Sequence, residues 1–139
     1  MIIRTVILVF MLTLPQLAGA QEISVIGMMK ADVEELLKRE YRDFSPDNSI
    51  VKKQFNYLKY VNGKQTITWI IYFDGDDRCA ATKKVCDYTE YDRVIKNLDS
   101  QCEAAGKLTW ECAADDQRYT ITLTEQDWYF TLRETLNKQ

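Results

Sequence analysis

Apolar residues recur along the chain at two distinct spacings, and each spacing predicts a different element. Met29, Val33, Leu36, Leu37, Tyr41 and Phe44 repeat at helical intervals, with Glu34, Glu35, Lys38 and Arg39 between them. That stripe predicts an amphipathic helix of about four turns. Ser45-Pro46-Asp47-Asn48 closes it, because proline cannot continue a helix and its neighbours favour turns. Three runs of strand character follow. Phe55 to Val61 is rich in aromatics and leads into Asn62-Gly63, a strong hairpin signal because both residues tolerate positive φ. Thr66 to Phe73 is densely apolar, and Asp74-Gly75-Asp76-Asp77 turns it into a third strand beginning near Arg78.

The same order then repeats. Thr89 is placed to cap a helix carrying Tyr91, Val94, Ile95, Leu98 and Cys102 on one face, and Ala105-Gly106 closes it. Lys107 to Cys112, Arg118 to Thr124 and Trp128 to Leu136 read as three further strands. Leu58-Lys59-Tyr60 aligns with Leu108-Thr109-Trp110, and Thr66-Ile67-Thr68 with Thr120-Ile121-Thr122, which suggests an internal duplication. The expected fold is therefore α+β: two helix–strand–strand–strand halves forming a mainly antiparallel sheet, with two helices packed on one face. Period-two alternation assigns the faces. Leu108, Trp110, Cys112, Tyr119, Ile121, Leu123, Trp128, Phe130 and Leu132 share the core side. Thr109, Glu111, Thr120, Thr122, Thr124, Tyr129, Thr131 and Arg133 share the side that meets water.

The first residues obey neither period. Arg4, an apolar run from Val6 to Leu14 and Ala18-Gly19-Ala20 form the pattern of a secretory signal peptide cleaved after Ala20. The run is shorter than the roughly 20 apolar residues of a transmembrane helix. Residues 1–20 are thus expected to be a leader and 21–139 a single domain, periplasmic or secreted, with no stable membrane insertion after cleavage. The whole chain has 18 basic and 21 acidic residues, a net charge of −3, and losing Arg4 makes the remainder one unit more acidic. A nucleic-acid partner is disfavoured, since phosphate binding needs a basic face.

Charge and composition also narrow the chemistry. The chain has no histidine, which removes Ser-His and Cys-His nucleophiles, histidine-ligated zinc and the commonest neutral-pH base. No nucleophile elbow, phosphate-cradling glycine loop or cofactor motif is present. Asp74, Asp76 and Asp77, with Asp115 and Asp116 in the matching turn, are the remaining acidic clusters. Turn formation explains them better than calcium binding or carboxylate catalysis. No metal or cofactor is expected, and an enzyme is the weaker reading. Cys79, Cys86, Cys102 and Cys112 in an exported chain suggest two disulfides. A helix returning along the third strand favours Cys79–Cys102 and Cys86–Cys112, against the alternative of buried thiols.

The order of signal peptide, helix, Asn-Gly hairpin, Asp-Gly turn, second helix and late Trp128-Tyr129-Phe130 strand resembles small exported proteins of Bacteroidetes-type bacteria. That resemblance implies a compartment and an approximate architecture, and nothing catalytic. The layout is also similar to secreted inhibitor folds in which helices cover one face of an antiparallel sheet. The favoured function is a non-enzymatic binding module that meets a protein or carbohydrate of the cell envelope through its open sheet face, at Tyr72, Tyr129 and Arg133. The alternative is an inhibitor of a secreted hydrolase acting through the acidic hairpin turns.

Overall fold

In a computed structural model, which describes residues 24–49, 54–114 and 117–137, the alternating segments assemble into one antiparallel sheet of eight strands. The chain runs α1 (Lys30–Glu40), β1 (Phe44–Pro46), β2 (Tyr57–Asn62), β3 (Ile67–Phe73) and β4 (Cys79–Asp87). After a 3-10 turn at Tyr88–Glu90 come α2 (Tyr91–Gln101), β5 (Glu103–Gly106), β6 (Thr109–Ala114), β7 (Gln117–Glu125) and β8 (Tyr129–Leu136). Across the sheet the order is β1-β2-β3-β4-β8-β7-β6-β5. The fold is predominantly β, which corrects the expected α+β class with two packed helices: strands dominate, and each α-helix has only 11 residues. The expected leader at 1–20 and the Asp115-Asp116 turn lie outside the described residues.

The excess of strand has identifiable sources. The first helix stops at Glu40, four residues before the apolar stripe does, and Phe44–Pro46 pairs with β2 instead. Phe44 is drawn there by aromatic packing, its ring lying 5.8 Å from Trp69 and 6.1 Å from Tyr41, both edge to face. Likewise α2 ends at Gln101, and Ala105-Gly106, expected to close that helix, instead belongs to Glu103–Gly106, an edge strand on β6. Thr89 does not cap α2; it lies inside the 3-10 turn, which Asp87 caps by accepting from the Thr89 N–H at Oδ1 (2.9 Å), and α2 itself begins after Glu90 without a side-chain cap. The β2–β3 hairpin forms where Asn62-Gly63 predicts, but the positive φ falls on Gln65. Asn62 acts through its buried side chain. Its Oδ1 accepts from the Thr66 and Ile67 N–H groups, and its Nδ2 donates to Thr66 Oγ1.

The two meanders are related by an approximate two-fold arrangement. Tyr60 pairs with Trp69 and Trp69 with Lys84; Trp110 pairs with Ile121 and Ile121 with Glu134. Tyr60 and Trp110 are thus equivalent, as the aligned Leu58-Lys59-Tyr60 and Leu108-Thr109-Trp110 segments suggest. The Thr-Ile-Thr alignment is displaced by two residues, because Trp69, not Ile67, matches Ile121. Residues 83 and 133 face each other across the β4–β8 seam, at the centre of this arrangement.

The core lies on one side of the sheet. Trp69, Ile71, Phe130, Ile121 and Leu123 are buried there with Val33, Leu36 and Leu37 of α1 and Val94 and Leu98 of α2. Burying each such large side chain stabilises the fold by about 1.5–3 kcal/mol. A bulge decides which residues of β4 join them. Tyr72 pairs with Ala81 but Phe73 with Cys79, so one extra residue at Ala80 brings both Cys79 and Cys86 to the core side. Trp128, expected in the core, lies in the β7–β8 turn and is 87% exposed, because β8 begins only at Tyr129.

The cysteine pairing also differs from expectation. Cys102 and Cys112 form a disulfide, with Cα atoms 4.7 Å apart, whereas Cys79 and Cys86 are buried and take no part in one. The β5–β6 hairpin is the reason. Its register sets Glu103 opposite Glu111 and leaves the flanking Cys102 and Cys112 side by side. The bridge fastens the end of α2 to the sheet. Burial, reinforced by the carboxylate of Glu134, pushes the Cys79 thiol up to about 12, so it remains protonated at neutral pH.

Candidate interaction face

The side of the sheet opposite the core is formed by alternate residues of every strand, and the register arranges them in rows. The central row runs Lys59, Ile70, Lys83, Arg133, Thr122, Thr109. One neighbouring row runs Tyr57, Tyr72, Ala81, Thr135, Thr120, Glu111, and the other Val61, Thr68, Val85, Thr131, Thr124. Around Lys59 and Lys83 the β2–β4 half of the face is therefore mostly apolar and aromatic, and the β6–β8 half is lined with threonine around Arg133. The structure places Tyr72, Tyr129 and Arg133 on this one face, as their alternation predicts. They are spread along it: Tyr72 shares a row with Thr135, whereas Tyr129 pairs with Asp87 at the far end of β8.

Each flank is held by local interactions. The Tyr57 and Tyr72 rings lie 6.4 Å apart in a tilted contact. Lys59 is engaged by Asp47, with Nζ 3.0 Å from Oδ2. Hydrogen bonds from the Ser49 hydroxyl and N–H, with Lys59 beside them, hold the Asp47 carboxyl down at about 2. On the opposite flank the Thr120 hydroxyl donates to Asn137 Oδ1 at 2.6 Å, and Asn137 Nδ2 donates to Glu111 Oε2 at 2.9 Å. Between these flanks Lys83 and Arg133 are exposed, and among the described residues neither has an ion pair or a side-chain hydrogen bond.

One end of the face carries a braced hairpin. The Tyr88 hydroxyl donates to the Gln126 carbonyl, and the Tyr91 hydroxyl to Glu125 Oε1 at 2.7 Å. The Tyr91 ring meets Phe130 edge to face at 5.2 Å. The turn is thereby fixed by side chains of the 3-10 turn and of the first residue of α2, and it presents Trp128 to solvent beside the half-exposed Tyr129. Alternation alone misses Trp128 as a surface anchor. The missed signal is Gln126-Asp127, a polar break just before the tryptophan.

No protein-family model, curated protein or solved structure matches the chain. Two of the three carboxylates in the Asp74–Asp77 turn are engaged locally: Asp74 Oδ1 accepts from the Asp76 and Arg78 N–H groups, and Asp77 Oδ1 from Asn56 Nδ2. Among the described residues no group of three or more Asp, Glu or Cys is placed to hold a metal ion. A cavity of about 20 Å³ on the core side, between Trp69, Lys84, Gln101 and Glu134, has room for one water molecule. A hollow along the outside of α2, near Tyr91, Ile95 and Asp99, is open to solvent. Of these features, the sheet face combines area, aromatic anchors and uncommitted charge. No described helix is long and apolar enough to cross a membrane.

Proposed function

We propose that the protein is an exported interaction module that binds a protein of the cell envelope through the open face of its sheet. One observation carries this reading: a continuous sheet face on the side away from both helices displays Tyr72 and Tyr129, with the 87%-exposed Trp128 in the turn at its end. Aromatic side chains on a rigid scaffold provide large contact area at low conformational cost, and tryptophan and tyrosine are enriched among residues that dominate binding energy. The Cys102–Cys112 disulfide is in keeping with an oxidising compartment, and the leader pattern at residues 1–20 supports export.

The test is affinity capture from the cell envelope with the chain from Gln21 to Gln139, alongside Tyr72→Ala/Tyr129→Ala and Trp128→Ala variants of unchanged circular dichroism. Partners retained by the wild type and lost by the variants support the open face. Retention unchanged by all three substitutions refutes it.

A further inference from the structure

Resting on that reading, we infer that the partner presents an acidic segment, whose carboxylates lodge against Lys83 and Arg133 at the centre of the face. These two cations sit directly opposite each other across the β4–β8 seam, a separation of about 4.5–5.5 Å between Cα atoms. Like charges placed opposite on adjacent strands destabilise a sheet. The remainder of the protein has acidic groups to spare, since the chain carries net charge −3, yet among the described residues none is paired with either cation. The approximate two-fold arrangement explains why residues 83 and 133 meet. It does not explain why both are basic. Lys59, the third cation of the row, shows the contrast, because Asp47 already neutralises it.

The surroundings specify the kind of anion. Ile70 adjoins Lys83 in its row, Tyr72 and Ala81 lie in the next, and Thr122 adjoins Arg133. An apolar and hydroxyl-bearing frame around two cations suits a polypeptide segment that alternates carboxylates with apolar side chains. A nucleic acid or sulfated polysaccharide carries charge at regular intervals and needs a longer track of uncommitted cations. A second copy of this chain docking face to face about a two-fold axis is also disfavoured, because it would set Lys83 and Arg133 against themselves.

The experiment titrates an end-capped peptide of alternating glutamate and tyrosine into the full chain from Gln21 to Gln139. Fluorescence anisotropy and NMR shifts of the Lys83 and Arg133 side chains report binding. A lysine–tyrosine counterpart and a heparin fragment serve as comparison probes. The acidic peptide is expected to bind, to weaken about tenfold or more between low and high salt, and to lose affinity by a similar factor with Lys83→Gln/Arg133→Gln. The double variant should melt no lower than the wild type, because it removes a like-charge opposition, so lost binding is not lost folding. Lys83→Glu/Arg133→Glu should reverse the preference towards the lysine peptide. Absence of binding at low salt, equal binding by the Gln variant, or tighter binding of the lysine peptide or heparin overturns the inference. An envelope partner lost with Tyr72→Ala/Tyr129→Ala but kept with Lys83→Gln/Arg133→Gln leaves the face in place and removes the acidic segment.

Discussion

Breaking the Cys102–Cys112 bridge should have a large and localised effect on stability. The bridge closes a loop with a sequence separation of 10, and the chain-entropy relation for a loop of that size gives about 2.7 kcal/mol. For a domain of this size that corresponds to a fall in melting temperature of about 10 °C. Cys102→Ala/Cys112→Ala, or mild reduction of the wild type, should both show it in urea or thermal unfolding followed by circular dichroism. The loss should be felt first in β5, whose four residues are all exposed and which is paired on one side only. Hydrogen exchange should therefore accelerate at Glu103–Gly106 and the last turn of α2 before it does in β3 or β8. Cys79→Ala should leave the effect of reduction unchanged, because Cys79 is outside the bridge. Peptide mapping under non-reducing conditions that joined Cys79 or Cys86 to another cysteine, or a melting temperature indifferent to reduction, would refute the reasoning.

Three further substitutions probe separate parts of the architecture. Gly27→Ala should destabilise by about 1–2 kcal/mol in urea unfolding, since Gly27 has φ +81° and a methyl there would displace the Gln117 side chain; an unchanged midpoint would show that this backbone relaxes freely. Thr82→Val should stabilise by about 1 kcal/mol or more, because Thr82 is 1% exposed and its buried hydroxyl has no hydrogen-bond partner among the described residues; a loss of stability would reveal a partner for it. The Asp47 carboxyl should titrate by NMR at about 2 rather than the ordinary 3.8. Its contribution to stability is fully present above 3.8 and disappears as pH falls through about 2, so Asp47→Asn should lower stability at neutral pH and have no effect at the acid limit. A titration midpoint at the ordinary value would refute the Ser49 hydrogen bonds and the Lys59 pairing that hold the carboxyl down.

Much of the sheet could be read from alternation, because side-chain period and burial coincide wherever a strand is paired on both edges. Ile67, Trp69, Ile71 and Phe73 alternate inward along β3, as do Tyr119, Ile121 and Leu123 along β7 and Phe130 and Leu132 along β8. The same logic puts Tyr72, Tyr129 and Arg133 on the opposite face. What escaped was decided by contacts distant in the chain. Phe44 continues a helical stripe and leaves it only because Trp69 and Tyr41 offer a better site for its ring. The bulge at Ala80 inverts the parity of Cys79 with no local marker. Glu103–Gly106 has no apolar alternation, being exposed on both faces, and exists as a strand only through β6. The adjacency of Lys83 and Arg133, on which the acidic-segment inference turns, depends on a pairing between β4 and β8 that no local pattern announces.

That same pairing governs the order in which the molecule can assemble. Every other pair of neighbouring strands in the sheet is also consecutive in the chain, so each meander closes hairpin by hairpin at small entropic cost. The seam must instead join Ala81 to Thr135 and Asp87 to Tyr129 across the whole second half. Contacts of such long range form late and slowly. During synthesis the first meander therefore waits with the free edge of β4 exposed, an adhesive template for any passing strand. The strand that covers it is made after all seven others described, and a chain truncated before Tyr129 would leave β4 permanently open.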